Sequence, residues 1–442
     1  MRRTRRWVLQ MDEQWLRELL DREIDSGPPG RPMAANSLRA GIRLRRRRRA
    51  QGGAACVAAA AMVATVLGVT AATRTPVAGP AKVTRPSTVY VLSSGSVTPI
   101  STATDRPGKP IPLPVGGSDM IMAVTPNGKT IYLGGDEPNP VVPFSTVTDT
   151  MGKPIQIGTP VSQILITPNG KTAYVLPLVG GKIIPIATAT NSPEKAIKVG
   201  MTFGGGNQMA ITPDGKTLYV ISAGKPFKGP SYVIPISTAT NTPGEPIEIR
   251  STDVFEIVMN PDGRTAYAIG QSATGAEIVP ITTATNTPRK PVRAAPADGP
   301  LAITPDGRIL YLAGPSGVTA FATATNTPGK LIKIDGFVYA IVVTPDGETA
   351  YVPSEPSAGQ TPPGCAGPPG KVTPIETATN TPGRSIPAGC NPYAVAITPD
   401  GKTIWVGSSD RKVTPIATAT NTPGKPITID GVVVAIAVAP RP

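Results

Sequence analysis

The chain has 442 residues with 53 proline, 47 glycine and no histidine. That much proline and glycine calls for many turns and few long helices, and a chain without histidine cannot build Ser-His-Asp or Cys-His machinery, histidine acid-base steps or His-ligated zinc. The net charge of +14 sits mostly in residues 1–50, which hold 14 Arg and no Lys against six acids, so the high pI describes a tail more than the body.

From the N-terminus, "MDEQWLRELLDREID" reads as a short amphipathic helix. Met11, Trp15 and Leu19 form one stripe, with Glu13/Arg17 and Glu18/Arg22 spaced i,i+4. It is suited to docking on an inner leaflet or a cytoplasmic partner. The arginine run Arg43–Arg49 then meets Gly52–Ala72, 21 residues without a charge, which as a helix spans roughly 30 Å, a bilayer core. The arginines are expected to stay inside. This gives a basic cytoplasmic tail (1–50), a transmembrane anchor (51–72), a linker (73–86) and an extracytoplasmic body (87–442) at the plasma membrane. Secretion after cleavage is the alternative, although the n-region is long for a signal peptide. A basic run also binds nucleic acid in some proteins, but no such partner is expected here.

Three markers recur from Ser87 onward. An apolar run ends in Thr-Pro-Asp/Asn-Gly or a variant, with its proline at 126, 168, 213, 261, 305, 345 and 399 and a stub at Pro440. An aromatic stands at 90, 132, 174, 219, 267, 311, 351 and 405. The motif x-Thr-x-Thr-Asn/Asp has its first threonine at 102, 146, 188, 238, 283, 323, 377 and 418. Proline to the following aromatic is always 6 residues, whereas aromatic to threonine ranges from 12 to 26. Length therefore varies in essentially one connection per repeat. A period near 44 holds about four short strands, and such units arranged radially make a β-propeller.

The expected fold is all-β, a propeller of eight four-stranded blades, with seven as the alternative. The N-terminal strands and a C-terminal innermost strand should share one blade. Thr-Pro-Asp-Gly suits a tight hairpin with glycine left-handed, and Thr-Pro-Gly-Lys suits a type II turn. Prolines such as Pro112, Pro154, Pro246 and Pro426 fall on outermost strands, where they discourage edge pairing. Pro185, Pro235, Pro280, Pro374 and Pro415 fall in the third strand, where a bulge or a late start to pairing is expected.

Segments such as "NGKTAYV" and "GKTLYVIS", with the Thr-Ala-Thr-Asn that follows, resemble the YVTN family of β-propeller repeats. The resemblance covers residues 87–442 and implies an extracytoplasmic bacterial, lactonase-like propeller. It departs in its Val-x-Pro-Ile third strands and in having eight copies.

In a four-stranded meander the recurring turns share one face and the variable loops the other. Loops on a rigid scaffold carry binding, so the candidate partner-binding residues are Lys225, Phe227, Lys228, Tyr232, Glu277, Glu355, Asp410 and Arg411. Cys365 and Cys390 belong to the same face, and outside the cytoplasm a disulfide between them is expected, stabilising by about 3 kcal/mol through loop closure. "FGGGN" (203–207) lacks the context of a phosphate loop, so no cofactor is expected. The resulting expectation is a non-catalytic scaffold for an extracellular protein or glycan. The alternative is a lactonase-like hydrolase or lyase using carboxylates and a divalent metal, which needs three or more acids converging at the channel mouth.

Overall fold

A computed structural model describes residues 87–114, 120–135, 141–200, 208–222, 230–249, 253–272, 275–294, 299–355 and 369–440. Among them are β-strands and turns but no α-helix. The basic tail expected to be cytoplasmic, the apolar stretch Gly52–Ala72, Lys225, Phe227, Lys228 and Cys365 lie outside the described residues.

The strands form eight antiparallel sheets, numbered here as blades 1 to 8 in chain order. Blades 2 to 8 occupy residues 120–155, 161–198, 209–249, 253–293, 301–333, 337–390 and 392–428. Blade 1 is composite. Its second strand, Thr88–Ser93, pairs outward with Ser96–Ser101 and inward with Val433–Ala439 from the other end of the chain. The two ends thus close the ring, as the repeat count implies.

The apolar core is distributed around that ring. Eight clusters of buried side chains each join two neighbouring sheets: Ile121, Tyr132 and Ile164 between blades 2 and 3, and Val91, Trp405 and Val433 between blades 8 and 1. A second strand is packed on both faces, so it reads as a nearly continuous apolar run, such as TVYVLS with all six residues buried.

The repeated polar residues build this scaffold. In blade 4 Thr212-Pro213-Asp214-Gly215 closes with the Gly215 N–H donating to Thr212 O at 2.8 Å. The Thr212 hydroxyl donates to Asp214 Oδ1 at 2.6 Å, and Asp214 Oδ1 also accepts the Lys216 N–H at 3.0 Å. Gly215 has φ +70°, and a Cβ there would sit 3.2 Å from Pro168 of the preceding blade, so glycine answers both the left-handed backbone and the close approach.

The marker threonine spans the two turns of its blade, Thr238 Oγ1 donating to Gly215 O at 2.6 Å. The residue that closes the motif three positions on, Asn241, carries φ +53°. This corrects the turn assignment: the chain reverses over Thr238–Asn241, while Thr242–Pro243 already belongs to the outermost strand. Asparagine tolerates the left-handed region that a type II turn would have assigned to glycine.

The third-strand prolines also behave differently from expectation. The third strand pairs without interruption on its inner side, with Tyr219 opposite Pro235, and the irregularity falls on its neighbour, which splits into Thr242–Pro243 and Ile247–Ile249. Pro235 O accepts the Gly244 N–H at 2.7 Å. The proline's carbonyl therefore faces the outermost strand, and so does its nitrogen, which has no proton to donate.

Candidate binding site on the variable-loop face

Six of the seven marker tyrosines turn a recurrent motif into a joint between blades. The hydroxyls of Tyr90, Tyr132, Tyr174, Tyr219, Tyr311 and Tyr351 donate to Oδ1 of Asp149, Asn191, Asn241, Asn286, Asn380 and Asn421 of the next blade, at 2.5–2.9 Å. Burial pushes the phenols of Tyr132, Tyr174, Tyr219 and Tyr351 up to about 12. Between blades 5 and 6 the joint is re-routed. Asn260 replaces the turn threonine, donates to Gly307 O at 3.0 Å and, with Thr323, bonds the Tyr267 hydroxyl. The recurring polar residues are thus occupied in holding the ring together.

The opposite end of the innermost strands is where the blades differ. In blades 1, 3, 5 and 8 the inner-strand register shifts by one residue at a single repeat position, six residues before the turn proline, which falls on Val434, Ser162, Phe255 and Tyr393. Tyr339 occupies that position in blade 7, where its strand is interrupted between Val338 and Val342. A bulge leaves one side chain unpaired and re-aims it. Three of these five residues are aromatic.

Two of the three meet. Tyr339 lies edge-on to Tyr393 with ring centroids 6.4 Å apart and to Phe337 at 5.1 Å. The Tyr339 hydroxyl donates to Glu355 Oε2, and the Tyr393 hydroxyl to Val433 O of the closing strand. Phe337 pairs across the sheet with Glu355 and is 36% exposed, so an aromatic surface stands beside a carboxylate on the variable-loop face.

Next to it the chain leaving blade 7 docks on blade 8. Cys390 is buried, and its carbonyl accepts the Ser409 N–H at 2.8 Å. Asp410 accepts from Ser408 Oγ at 2.6 Å and lies 2.9 Å from Lys412 Nζ. Burial alone would push the Asp410 carboxyl up. The bonds from Ser408, Lys412 and the Cys390 N–H, with the Lys412 charge, hold it below the usual carboxylate value. Gly389, at φ +83°, passes so close that a Cβ would lie 2.5 Å from Ser408 Oγ.

Of the sequence candidates, Glu355 and Asp410 fall on these two neighbouring blades, each already bonded, and Arg411 is exposed at φ +60°. Tyr232 and Glu277 lie on blades 4 and 5. Tyr232 is half-buried and pairs with Ser222 and Glu248, and Glu277 pairs with Arg293. Phe337, Tyr339 and Tyr393 were not among the candidates. The signal for the two tyrosines was present in "YAIVVTP" and "YAVAITP", which place an aromatic six residues before the turn proline. Among the described residues no three His, Cys, Asp or Glu side chains gather as metal ligands. The arrangement offers aromatic stacking and charge-assisted hydrogen bonds.

The sequence matches no family model and no curated protein. Solved structures resemble it in fold. One is a dihydro-heme d1 dehydrogenase, NirN, in complex with DHE, with TM-score 0.58 and 15% identity over 79% of this chain and 74% of that one. Another is Citrobacter koseri AztD, with TM-score 0.58 and 11% identity over 80% of this chain and 98% of that one. A third, described as the eukaryotic initiation factor, has TM-score 0.53 and 13% identity over 81% and 99%. At such identities the likeness is one of fold alone, and with the sheets above it makes this chain an eight-bladed β-propeller closed by its own two ends.

Proposed function

We propose that the propeller is a non-catalytic binding scaffold, held outside the plasma membrane by the Gly52–Ala72 span, that presents its variable-loop face to an extracellular protein or glycan. The observation that carries this reading is a division of labour. Repeated polar residues are spent on turns and inter-blade joints, while unrepeated Phe337, Tyr339, Glu355, Tyr393 and Asp410 gather at the other end of blades 7 and 8. An exposed aromatic beside bonded acids suits a sugar ring or an interface anchor. A Cys365–Cys390 bridge would clamp the longest loop to this region, and the buried, bonded state of Cys390 supports it. The Tyr-to-Asn joints give the YVTN-like repeat a physical role and support reading the chain as a relative of that family.

The test is a glycan array and surface cross-linking with intact cells, using wild type, Phe337→Ala and Lys216→Ala on the turn face. Phe337→Ala is expected to weaken the captured ligand at least about tenfold, as for an aromatic anchor, with Lys216→Ala unchanged. A ligand lost with Lys216→Ala and retained by Phe337→Ala would refute the assignment of the face.

A further inference from the structure

Blade 6 differs from the other seven at its outer edge. Where they carry proline opposite the marker aromatic, blade 6 has Ala320 facing Tyr311. Its outermost strand, Thr327–Lys333, runs through seven residues with one register shift between the partners of Thr319 and Phe321, and Leu331 pairs opposite Thr319 where the other blades are interrupted. Ala320 restores the N–H that proline lacks, which accounts for the difference.

A second protection is missing there as well. In blade 8 the Ile429 N–H turns inward to Arg411 O at 2.8 Å, and Ile427 pairs inward with Val413, so alternate residues such as Pro426 present their backbone outward. The same outward position holds Pro110, Pro154, Pro246 and Pro291 in blades 1, 2, 4 and 5, and Leu331 in blade 6. Blades 3 and 7, with Ala196 and Ser385 there, retain the third-strand proline and a split outer strand. Blade 6 alone lacks both of these prolines, and beyond the register shift between the partners of Phe321 and Thr319 its outer strand continues through Leu331–Lys333 with no proline to block an added strand.

We infer that this edge is a docking site for an extended acidic peptide, which adds as a further strand beside Leu331–Lys333. Lys330 and Lys333 are exposed, and neither has a carboxylate partner among the described residues. Leu331 between them is 43% exposed. Lys330 and Lys333 stand an odd number of residues apart, on opposite faces of the strand, so acids on both faces of an added strand would meet them and match that pattern. A second copy does not, because it would bring four lysines to one ladder, the device by which edges refuse self-pairing. The peptide has room: a groove of about 470 Å³ runs between this edge and the outer turn of blade 7, lined by Leu331, Lys333, Asn380 and Pro382. The larger groove of about 820 Å³ at the equivalent place between blades 4 and 5 is lined by Pro235, Pro246, Pro288 and Pro291 and offers no such ladder. This site lies on the perimeter of the ring, and its existence does not depend on the variable-loop face.

The experiment is fluorescence anisotropy with the full chain in detergent and a short labelled peptide of valine and glutamate with glutamates on both faces of the extended chain. Wild type should bind saturably. Leu331→Pro and Ala320→Pro should each weaken binding at least about tenfold, the loss of one or two ladder hydrogen bonds. Both prolines occur at these positions in other blades, so an unchanged melting temperature verifies that the variants fold. Charge reversal at Lys330 and Lys333 should transfer the preference to the same peptide with lysine in place of glutamate. Failure of wild type to bind, equal binding by Leu331→Pro, or a concentration-dependent dimer abolished by Leu331→Pro would each overturn the inference, the last by making a second copy the occupant.

Discussion

Between blades 3 and 4 the buried Tyr174 hydroxyl donates to Asn241 of the next blade at 2.7 Å. Between blades 8 and 1 the corresponding residue is Trp405, fully buried, and its indole N–H finds no acceptor among the described residues. The residue that would have received it is Asp105, which keeps the left-handed φ of +52° common to the motif. One hydrogen bond of this kind contributes a net of about 1 kcal/mol, and its absence leaves the seam intact. The seam without the joint adjoins the blade that is stitched from both ends of the chain, where six residues of Thr88–Ser93 pair with Val433–Ala439. Burial and the closing ladder make the ring, and the tyrosine joints refine it.

The comparison is broken most severely by removing the ladder. Deleting Gly431–Pro442 takes the inner strand from blade 1 and strips side chains such as Val433 and Ala437 from the two clusters that flank it. A drop in melting temperature of about 10 °C or more is expected, given that 1 kcal/mol moves a large domain by only a few degrees. An unchanged calorimetric melt would mean that the ring is not closed this way.

Alkaline titration comes next. Burial, with Glu194 adding to it at Tyr174, holds these phenols protonated up to about 12 in the folded chain against 10 as a free side chain. The unfolded chain therefore releases protons first, and stability is flat below pH 10 and falls between about 10 and 12. Phenolate absorbance should rise in step with loss of the fold. Early ionisation without unfolding would place these hydroxyls in water.

The smallest effect is the sharpest. A double-mutant cycle of Tyr174→Phe with Asn241→Ala should give a coupling of about 1 kcal/mol, whereas Trp405→Phe with Asp105→Ala should give a coupling near zero. Equal couplings at the two seams would erase the distinction.

The scaffold was legible because its period is written in residues with special backbones. Gly215 and Asn241 each mark a left-handed position, and Pro213 presets the turn between two apolar runs. The joints were not legible, although both of their residues had been identified as markers. Tyr174 and Asn241 stand 67 residues apart, and only the placement of one sheet against the next brings them together. The third-strand prolines were seen, but their effect falls on a neighbouring strand because it depends on which side the missing N–H faces. At the candidate site loop variability points to Glu355 and Asp410, whereas Tyr339 and Tyr393 stand at a position in apolar runs whose bulge and re-aimed side chains only the strand pairing reveals.

Closure by Val433–Ala439 also sets an order of events during synthesis. Among the described strands these residues are made last, so blade 1, whose other strands are made first, lacks its inner strand while blades 2 to 8 are being made. An unfinished sheet with open backbone groups attracts other strands. The interval before Val433–Ala439 arrive is therefore the time at which blade 1 is most open to pairing with foreign strands, and their arrival is what seals it.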